Sequence, residues 1–219
     1  VVIDGCPSGL SLSEEDIQKQ LDRRKPGQSK FTTKRNESDT AQILSGVFEG
    51  KTTGTPISVI VYNQDQRSRD YGKIKDCYRP GHADYTFDAK YGFRDYRGGG
   101  RSSARETIGR VAAGAIALKI LESLGINLHA YAKEIGGIAI DYEKFDLQAA
   151  RENAFTMPDK EAAAKVEVYA TQKIQEGDSI GGIIECVVEG MMPGIGEPVF
   201  DKLDASLGKA MLSIGAVKG

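Results

Sequence analysis

A run of three glycines that leads into a long apolar segment constrains the fold of this chain more than any other stretch. The glycines occupy positions 98–100, and the apolar segment covers residues 107–121. Glycine lets the backbone turn tightly and approach a ligand closely, and the first N–H groups of the following helix face that turn. Residues 111–118 are apolar on all sides, so we expect this helix to be buried inside the domain.

The short segment between the glycines and the helix carries donors that suit an anion. Ser103 and Glu106 have the spacing of a capping box, which predicts that the helix begins at Ser103 and leaves Ser102 free to bind. Arg101 and Arg105 are four residues apart and are expected to share one side of this start. Guanidinium groups, hydroxyls and helix amides together suit phosphate oxygens. The alternative is a glycine-rich loop before an ordinary capped helix, with solvated arginines.

Composition narrows the class of protein. With 219 residues, 40% of them hydrophobic and 27% charged, the chain is long enough to form one large globular domain or two small ones. A formal net charge of -2 argues against a protein whose whole surface binds nucleic acid. The three cysteines are far apart and in no Cys-x-x-Cys spacing, which predicts reduced thiols and no metal site. We find no apolar stretch of membrane-spanning length and no signal-peptide pattern.

A helix near the start of the chain ends in a cluster of positive charge. Ser13 and Asp16 predict its first turn, Ile17 and Leu21 mark its buried side, and Pro-Gly at positions 26–27 ends it. This cluster is either a second anion clamp or a solvated helix end whose cations complement the helix dipole. Its members are Arg23, Arg24, Lys25, Lys30, Lys34 and Arg35.

Strands and helices follow each other in an order that excludes a purely parallel sheet. Residues 43–48 and 56–62 read as a hairpin, 126–135 as a strand that carries His129, and 179–188 as a further strand. Helices are predicted at 159–174 and at 198–214, the second with one apolar face. Hairpin-like pairs among alternating helices favour an α+β fold.

Residues 63–100 show no hydrophobic periodicity. The span is longer than an ordinary loop between two elements, and long ordered loops usually form part of a functional site. Arginines and tyrosines alternate in this span, which could stack and clamp a nucleic-acid strand. Frequent aspartates interrupt the positive field and favour a folded pocket lining instead. The arginines are Arg67, Arg69, Arg79, Arg94 and Arg97.

Taken together, these stretches resemble the chorismate synthase family from residue 1 to residue 219. The motifs that carry the resemblance are Asp-Arg-Arg at 22–24 with Pro-Gly at 26–27, Asp-Gln-Arg-Ser at 65–68 with Asp-Tyr at 70–71, Arg-Pro-Gly-His-Ala-Asp-Tyr-Thr at 79–86, Asp-Tyr-Arg-Gly-Gly-Gly-Arg-Ser-Ser-Ala-Arg-Glu-Thr at 95–107, Gly-Asp-Ser-Ile-Gly-Gly at 177–182 and Gly-Glu-Pro-Val-Phe-Asp at 196–201. Motifs of this length in the family's order are highly specific.

The resemblance implies an α+β fold: a layered β-α-β sandwich in which mixed or antiparallel sheets enclose buried helices, here one domain over residues 1–219. It implies a lyase of the shikimate pathway, on the route to the aromatic amino acids, which eliminates phosphate from 5-enolpyruvylshikimate 3-phosphate in an anti 1,4 sense to give chorismate. The family requires reduced FMN, with NADPH as a source of reductant. The resemblance also implies a cytoplasmic homotetramer that acts on a small molecule and has no nucleic-acid or membrane partner.

The resemblance assigns roles to individual residues. His82 is the expected catalytic residue, because its family counterpart lies by the flavin, and an imidazole titrates near neutrality. A loop histidine that only supports turn geometry is the alternative. Arg101, Ser102 and Ser103 match the flavin-binding segment. Three further positions are expected to bind substrate or dinucleotide: Arg24, Lys30 and Arg79. A surface ion pair with Asp76 is the alternative role for Arg79, and Lys30 stands where many relatives carry arginine.

Two family motifs are absent from these residues. Members normally begin with a segment that contains Gly-Glu-Ser-His-Gly, and they continue to an Arg-His-Asp-Pro motif; both supply proposed acid–base groups. We therefore expect a chain truncated at both ends that does not turn over substrate by itself. Two alternatives remain: a non-catalytic module that binds phosphorylated ligands or nucleic acid, and a structural piece that supports oligomerisation. His129 matches no family motif and is expected to be structural.

Overall fold

The computed structural model describes residues 1–32, 37–63, 72, 75–98 and 100–219. The chain divides into two compact units. Unit 1 comprises Val1–Pro26, Lys34–Ile120 and Met192–Gly219, and unit 2 comprises Gly27–Thr33 and Leu121–Met191. The strands are β1 (Val2–Ile3), β2 (Ala41–Ile43), β3 (Val47–Phe48), β4 (Lys51–Thr52), β5 (Ile57–Val61), β6 (Asn127–Ile135), β7 (Ile138–Ala139), β8 (Gly182–Glu189), β9 (Gly196–Glu197) and β10 (Asp201–Lys202). The α-helices are α1 (Glu14–Arg24), α2 (Asp84–Tyr91), α3 (Thr107–Ser123), α4 (Leu147–Glu152), α5 (Lys160–Glu176) and α6 (Leu203–Leu212).

The main sheet of unit 1 has the order β1-β5-β2. The predicted hairpin is confirmed as the antiparallel pair β2–β5, in which Ile43 lies opposite Val59. The first predicted strand, 43–48, is wrong as a single element: β2 ends at Ile43, the chain turns through Gly46, which has a φ of +81°, and Val47–Phe48 form β3. A small second hairpin, β3–β4, then forms before β5 begins.

Helix α1 follows the local signals in its sequence. The Asp16 carboxylate accepts a hydrogen bond from the backbone N–H of Ser13 at 2.9 Å, as a capping box requires. Ile17 and Leu21 are fully buried. They pack in a core that also contains Ile57 and Val59 of β5 and Ile116 of α3. Unit 1 is therefore organised as helices against an antiparallel sheet.

Helix α3 differs from the prediction in its burial. Ile108, Ala112, Ala115 and Ile116 are buried, whereas Ala117 is exposed. An all-apolar sequence thus buries only one side of this helix within the described residues.

In unit 2, β6 pairs antiparallel with both β7 and β8, in the order β7-β6-β8. Helix α5 begins at the cap residue Asp159, whose carboxylate accepts from the N–H groups of Glu161 and Ala162. Buried side chains of β6 and α5, including Tyr131, Ala163 and Val166, share one core with Met157. The predicted strand at 126–135 and the predicted helix at 159–174 are confirmed to within two or three residues.

Two further predictions about elements are wrong. The last helix begins at Leu203 rather than Pro198, because residues 201–202 pair with residues 196–197 as a small hairpin. Helix α2 lies in the span that appeared aperiodic; it is short, has no apolar stripe, and ends at Gly92 with a φ of 80°. Every strand pairing among the described residues is antiparallel, which confirms the α+β class. No helix in the described part of the chain has the length and hydropathy needed to span a bilayer.

Candidate functional site

The glycine loop leads into helix α3 through two short 3₁₀ turns. Gly98 and Gly100 have positive φ values of 109° and 50°. The turns cover Gly100–Ser102 and Ala104–Glu106, and α3 begins at Thr107. Ser103 caps the second turn, since its Oγ accepts from the backbone N–H of Arg105 at 3.3 Å.

The capping box predicted for Ser103 and Glu106 is not formed. The Glu106 carboxylate accepts instead from Nε of Arg110, one helical turn later, at 2.9 Å. This i,i+4 ion pair competes with the reach back to the Ser103 backbone. The turn that runs directly into α3 begins after its cap Ser103, as predicted, but it has 3₁₀ rather than α geometry, and a separate 3₁₀ turn at Gly100–Ser102 precedes it.

The three residues predicted to bind a cofactor present one cation and two hydroxyls. Arg101 is exposed, and its guanidinium group makes no hydrogen bond or ion pair with the residues that the structure describes. Ser102 and Ser103 are half-buried. A cation that no described residue engages, beside two hydroxyls, is a donor set that suits a phosphate group.

Arg24 and Arg105 converge on one buried carboxylate, that of Asp39, which is 0% exposed. Nη1 of Arg24 lies 3.0 Å from Asp39 Oδ2, and Nη2 of Arg105 lies 3.1 Å from Oδ1. Nε of Arg24 also donates to Oγ1 of Thr107 at 3.0 Å. Glu37 adds a second carboxylate 3.5 Å from Arg105. We call these side chains the Asp39 cluster; it joins the end of α1 to the beginning of α3, so Arg105 is not a solvated arginine.

Arg79 and His82 converge on a second buried carboxylate, that of Asp84, the first residue of α2. Asp84 is 3% exposed. Nε and Nη2 of Arg79 donate to Oδ2 and Oδ1, each at 2.8 Å, and the backbone N–H of Arg79 donates to Oδ2 at 3.0 Å. Nδ1 of His82 lies 2.9 Å from Oδ1. We call this the Asp84 cluster; the alternative pairing of Arg79 with Asp76 at the surface is wrong.

Charge and hydrogen bonding fix the ionisation of Asp84. Hydrogen bonds from Arg79 hold the pKa of this carboxyl far below its usual range, against the opposing effect of burial. Asp84 is therefore an anion at neutral pH and can only accept hydrogen bonds.

The sequence did not reveal the role of Arg94, which supports the same helix. Its guanidinium group pairs with Asp88 and donates to the carbonyl oxygens of Lys75 and Cys77 at 2.7 and 2.8 Å. Nε of Arg94 lies 3.6 Å from Asp84 Oδ1. The i,i+4 spacing of Asp84 and Asp88, followed by Gly92, is the signal that could have predicted α2 and this arginine.

Lys30 and His129 both lie in unit 2. Nζ of Lys30 pairs with Oε1 of Glu167 at 2.7 Å, between side chains that are 61% and 52% exposed. Nε2 of His129 lies 3.9 Å from a Glu189 carboxylate oxygen across β6 and β8. The dinucleotide role of Lys30 stays a prediction, as does the structural role of His129.

The structure thus brings the predicted residues together in two groups. In the first group, Arg24 donates to Thr107, just after the turn that Ser103 caps. In the second group, Arg79 and His82 contact the same carboxylate of Asp84. A single cavity shared by His82 and residues 101–103 stays a prediction. Several parts of the predicted motifs lie outside the described residues: Gly99, Lys34, Arg35, and the stretch 65–71 with Arg67 and Arg69.

Fold and site together define a class: an α+β protein with antiparallel sheets, whose loops present arginine, histidine and serine donors just before helices. Within that class the chain belongs to the chorismate synthase family, because the family model described as "Chorismate synthase" matches residues 1–219. A curated chorismate synthase from Lachnospira eligens is 74% identical over 219 residues, and one from Lachnoclostridium phytofermentans is 64% identical.

The match covers 100% of this chain and 60% of each of these two relatives, so the chain spans about three-fifths of their length. A solved structure described as "Crystal Structure of Chorismate Synthase" superposes with a TM-score of 0.77 at 32% identity, over 100% of this chain and 62% of that one. The resemblance and the fold class predicted from the sequence are thereby confirmed.

Proposed function

We propose that this chain contributes to the active site of a chorismate synthase, a lyase that eliminates phosphate from 5-enolpyruvylshikimate 3-phosphate to give chorismate. Membership of the family supports this reaction and implies a flavin cofactor in general. Reduced FMN, NADPH as a source of reductant, a homotetrameric state and a cytoplasmic location are part of the same proposal.

The donors present fit a phosphorylated flavin. Arg101 offers a guanidinium group that no described residue engages, and Ser102 and Ser103 offer hydroxyls beside glycines with positive φ. These three residues would hold the cofactor. Reduced FMN, when bound, supplies a transient electron while the phosphate departs.

His82 is proposed to donate a proton or a hydrogen bond toward the flavin from Nε2. Its Nδ1 faces the Asp84 carboxylate, so Nε2 is the ring nitrogen left for a ligand. Arg79, bound to the same carboxylate, supplies positive charge for the anionic groups of the substrate. The observation that carries the proposal is this shared buried carboxylate, which holds two motif residues together in a chain that matches the family model throughout.

The test is chorismate formation by a chimaeric protein, in which these 219 residues replace the matching part of the Lachnospira eligens relative. The assay is anaerobic, with 5-enolpyruvylshikimate 3-phosphate and dithionite-reduced FMN. We expect turnover, and we expect His82→Ala to lower kcat by about 10²- to 10⁴-fold, the usual range for a general acid or base.

His129→Ala is the matched control, because the chain has only two histidines. It should leave kcat within about twofold of the parent, and size-exclusion chromatography should show the same assembly for both variants. Equal loss in the two variants, or turnover that His82→Ala leaves intact, would contradict the proposal. Steeply salt-dependent binding with no preference for reduced flavin would favour a binding module instead.

A further inference from the structure

Asp84 touches both residues that the proposed function places near the ligands. Its side chain is buried, at 3% exposed, and each oxygen accepts from Arg79. We propose that Asp84 is a positioning residue, which fixes the ring nitrogen of His82 that carries the proton and aims the guanidinium group of Arg79. This inference rests on the proposed roles of His82 and Arg79.

Two neighbours compete for Nδ1 of His82. The Asp84 Oδ1 atom lies 2.9 Å away and can only accept, so it favours a proton on Nδ1. Nη2 of Arg79 lies 3.2 Å away and can only donate, so it favours a bare Nδ1 and a proton on Nε2. The arrangement of protons at His82 therefore depends on which neighbour prevails.

Geometry decides in favour of Asp84. The carboxylate oxygen is closer to Nδ1, and Nη2 of Arg79 already donates to that same oxygen at 2.8 Å. Nη2 has a second hydrogen that can point at Nδ1, but both possible bonds to Nδ1 involve one ionised partner, and the shorter one, to the carboxylate oxygen, is the stronger. The neutral ring then carries its proton on Nδ1, and Nε2 is the atom that faces a ligand. Nε2 accepts a proton in the neutral ring, and it donates one toward the ligand when the ring is protonated on both nitrogens.

Arg94 keeps the carboxylate in place from another direction. Its Nε lies 3.6 Å from Asp84 Oδ1, and its remaining donors are engaged by Asp88 and by carbonyl oxygens. Asp84 and Asp88 share helix α2 and share Arg94, but His82 and Arg79 are hydrogen-bonded or ion-paired to Asp84. This difference provides a matched pair of aspartates for the test.

The first experiment measures the tautomer of His82 in the 219-residue chain, without flavin or substrate. Two-bond ¹H–¹⁵N correlation spectra distinguish the Nδ1–H and Nε2–H forms, and His129→Gln assigns the two histidine signals. At a pH where the ring is neutral, we expect the Nδ1–H form in the parent chain. Asp84→Asn should convert much of it to the Nε2–H form, whereas Asp88→Asn should leave the spectrum unchanged.

An Nε2–H ring in the parent chain would overturn the inference, and so would an Nδ1–H ring that persists in Asp84→Asn. The parent spectrum alone decides the first point, even if Asp84→Asn does not fold. Asp84→Glu keeps the charge and should retain part of the Nδ1–H form.

The second experiment measures kinetics in the chimaeric protein. Asp84→Asn should lower kcat through His82 and raise KM through Arg79, each by about 10- to 100-fold, as for other residues that orient a functional group. Asp84→Glu should recover part of both, and Asp88→Asn should leave both near the parent values. Unchanged kcat and KM in a folded Asp84→Asn protein would overturn the inference. If His82→Ala does not slow turnover but the tautomer depends on Asp84, the proposed function fails and the positioning of the ring stands.

Discussion

Each unit of the molecule contains a carboxylate that collects several donors, and the two are built differently. In unit 1, Asp39 lies on a loop, is 0% exposed, and pairs with Arg24 and Arg105, which come from distant parts of the chain. In unit 2, Glu185 lies on strand β8 with a side chain that is 28% exposed. Its oxygens accept from the hydroxyls of Tyr131 and Tyr142, each at 2.6 Å, and from Nζ of Lys133 at 2.8 Å. We call these side chains the Glu185 cluster.

The two clusters differ in what brings their side chains together. Tyr131 lies directly opposite Glu185 in the β6–β8 ladder, so strand register alone brings these two side chains together. No such register places Asp39, which adopts a positive φ of 46° in its loop. The Asp39 cluster depends on charge to hold separate segments beside the glycine loop, whereas the Glu185 cluster adds polar bonds to a sheet that is already paired.

The largest expected effect comes from removing the charge of Asp39. Asn tolerates a positive φ and has the same shape, so Asp39→Asn removes the charge and leaves two arginines beside a neutral amide. We expect the free energy of unfolding to fall by about 3–5 kcal/mol, as when one partner of a buried ion pair is lost. Urea unfolding followed by circular dichroism measures it.

Asp22→Asn is the control for that variant, because Asp22 pairs with Lys25 at the surface, between side chains that are 47% and 38% exposed. An exposed pair contributes about 0–1 kcal/mol, so the control should unfold nearly as the parent does. If the two variants lose the same free energy, charge burial does not distinguish the Asp39 cluster.

A smaller loss of stability is expected when either tyrosine of the Glu185 cluster is changed to phenylalanine, and the loss should differ between the two. Both hydroxyls donate to the same oxygen at 2.6 Å, but Tyr131 is 3% exposed and Tyr142 is 53% exposed. Tyr131→Phe should cost about 1.5 kcal/mol, since a buried bond to a charged acceptor has no water to replace it. Tyr142→Phe should cost less than about 0.5 kcal/mol, because water can take its place. Equal costs, measured by urea unfolding, would mean that burial does not set the strength of these bonds.

The helices beside these clusters also show which elements can be predicted from the sequence. Helix α1 was predictable because its cap, its buried residues and its Pro-Gly end all lie within a few positions of one another. Helix α2 was not predicted, since it has no apolar stripe and is held by ion pairs of Asp84 and Asp88 with Arg94. The spacing of its two aspartates before Gly92 is a much weaker signal than the cap and buried stripe of α1. Local signals specify an element, whereas an element held by tertiary ion pairs carries no comparable pattern.

The same limit applies to the candidate site. The motif at residues 79–86 nominated His82 and Arg79, and the structure places both on one carboxylate. No residue pattern distinguished Asp84 from the many other aspartates of that span, and none connected Asp39 with Arg105. Distances between separate segments follow from packing, which residue spacing does not encode.

The smallest expected effect is on stability at low pH. It tests whether the charge of Glu185 contributes to the free energy of unfolding. Lys133, Tyr131 and Tyr142 donate to Glu185 and lower the pKa of its carboxyl from 4.5 to about 2. A carboxylate whose pKa is lower in the folded state contributes stability that is complete above its unfolded pKa and is lost as the pH falls through the folded value. The window therefore lies between about pH 4.5 and about pH 2.

Glu185→Gln isolates this contribution, because other carboxylates titrate alike in parent and variant. We expect the parent to be the more stable protein above pH 4.5, and the difference in free energy of unfolding to shrink toward zero near pH 2. The effect is small because the side chain is partly hydrated. Urea unfolding at a series of pH values measures the difference directly. If the difference in free energy of unfolding stays constant through this range, Glu185 contributes through hydrogen bonds that do not depend on its charge.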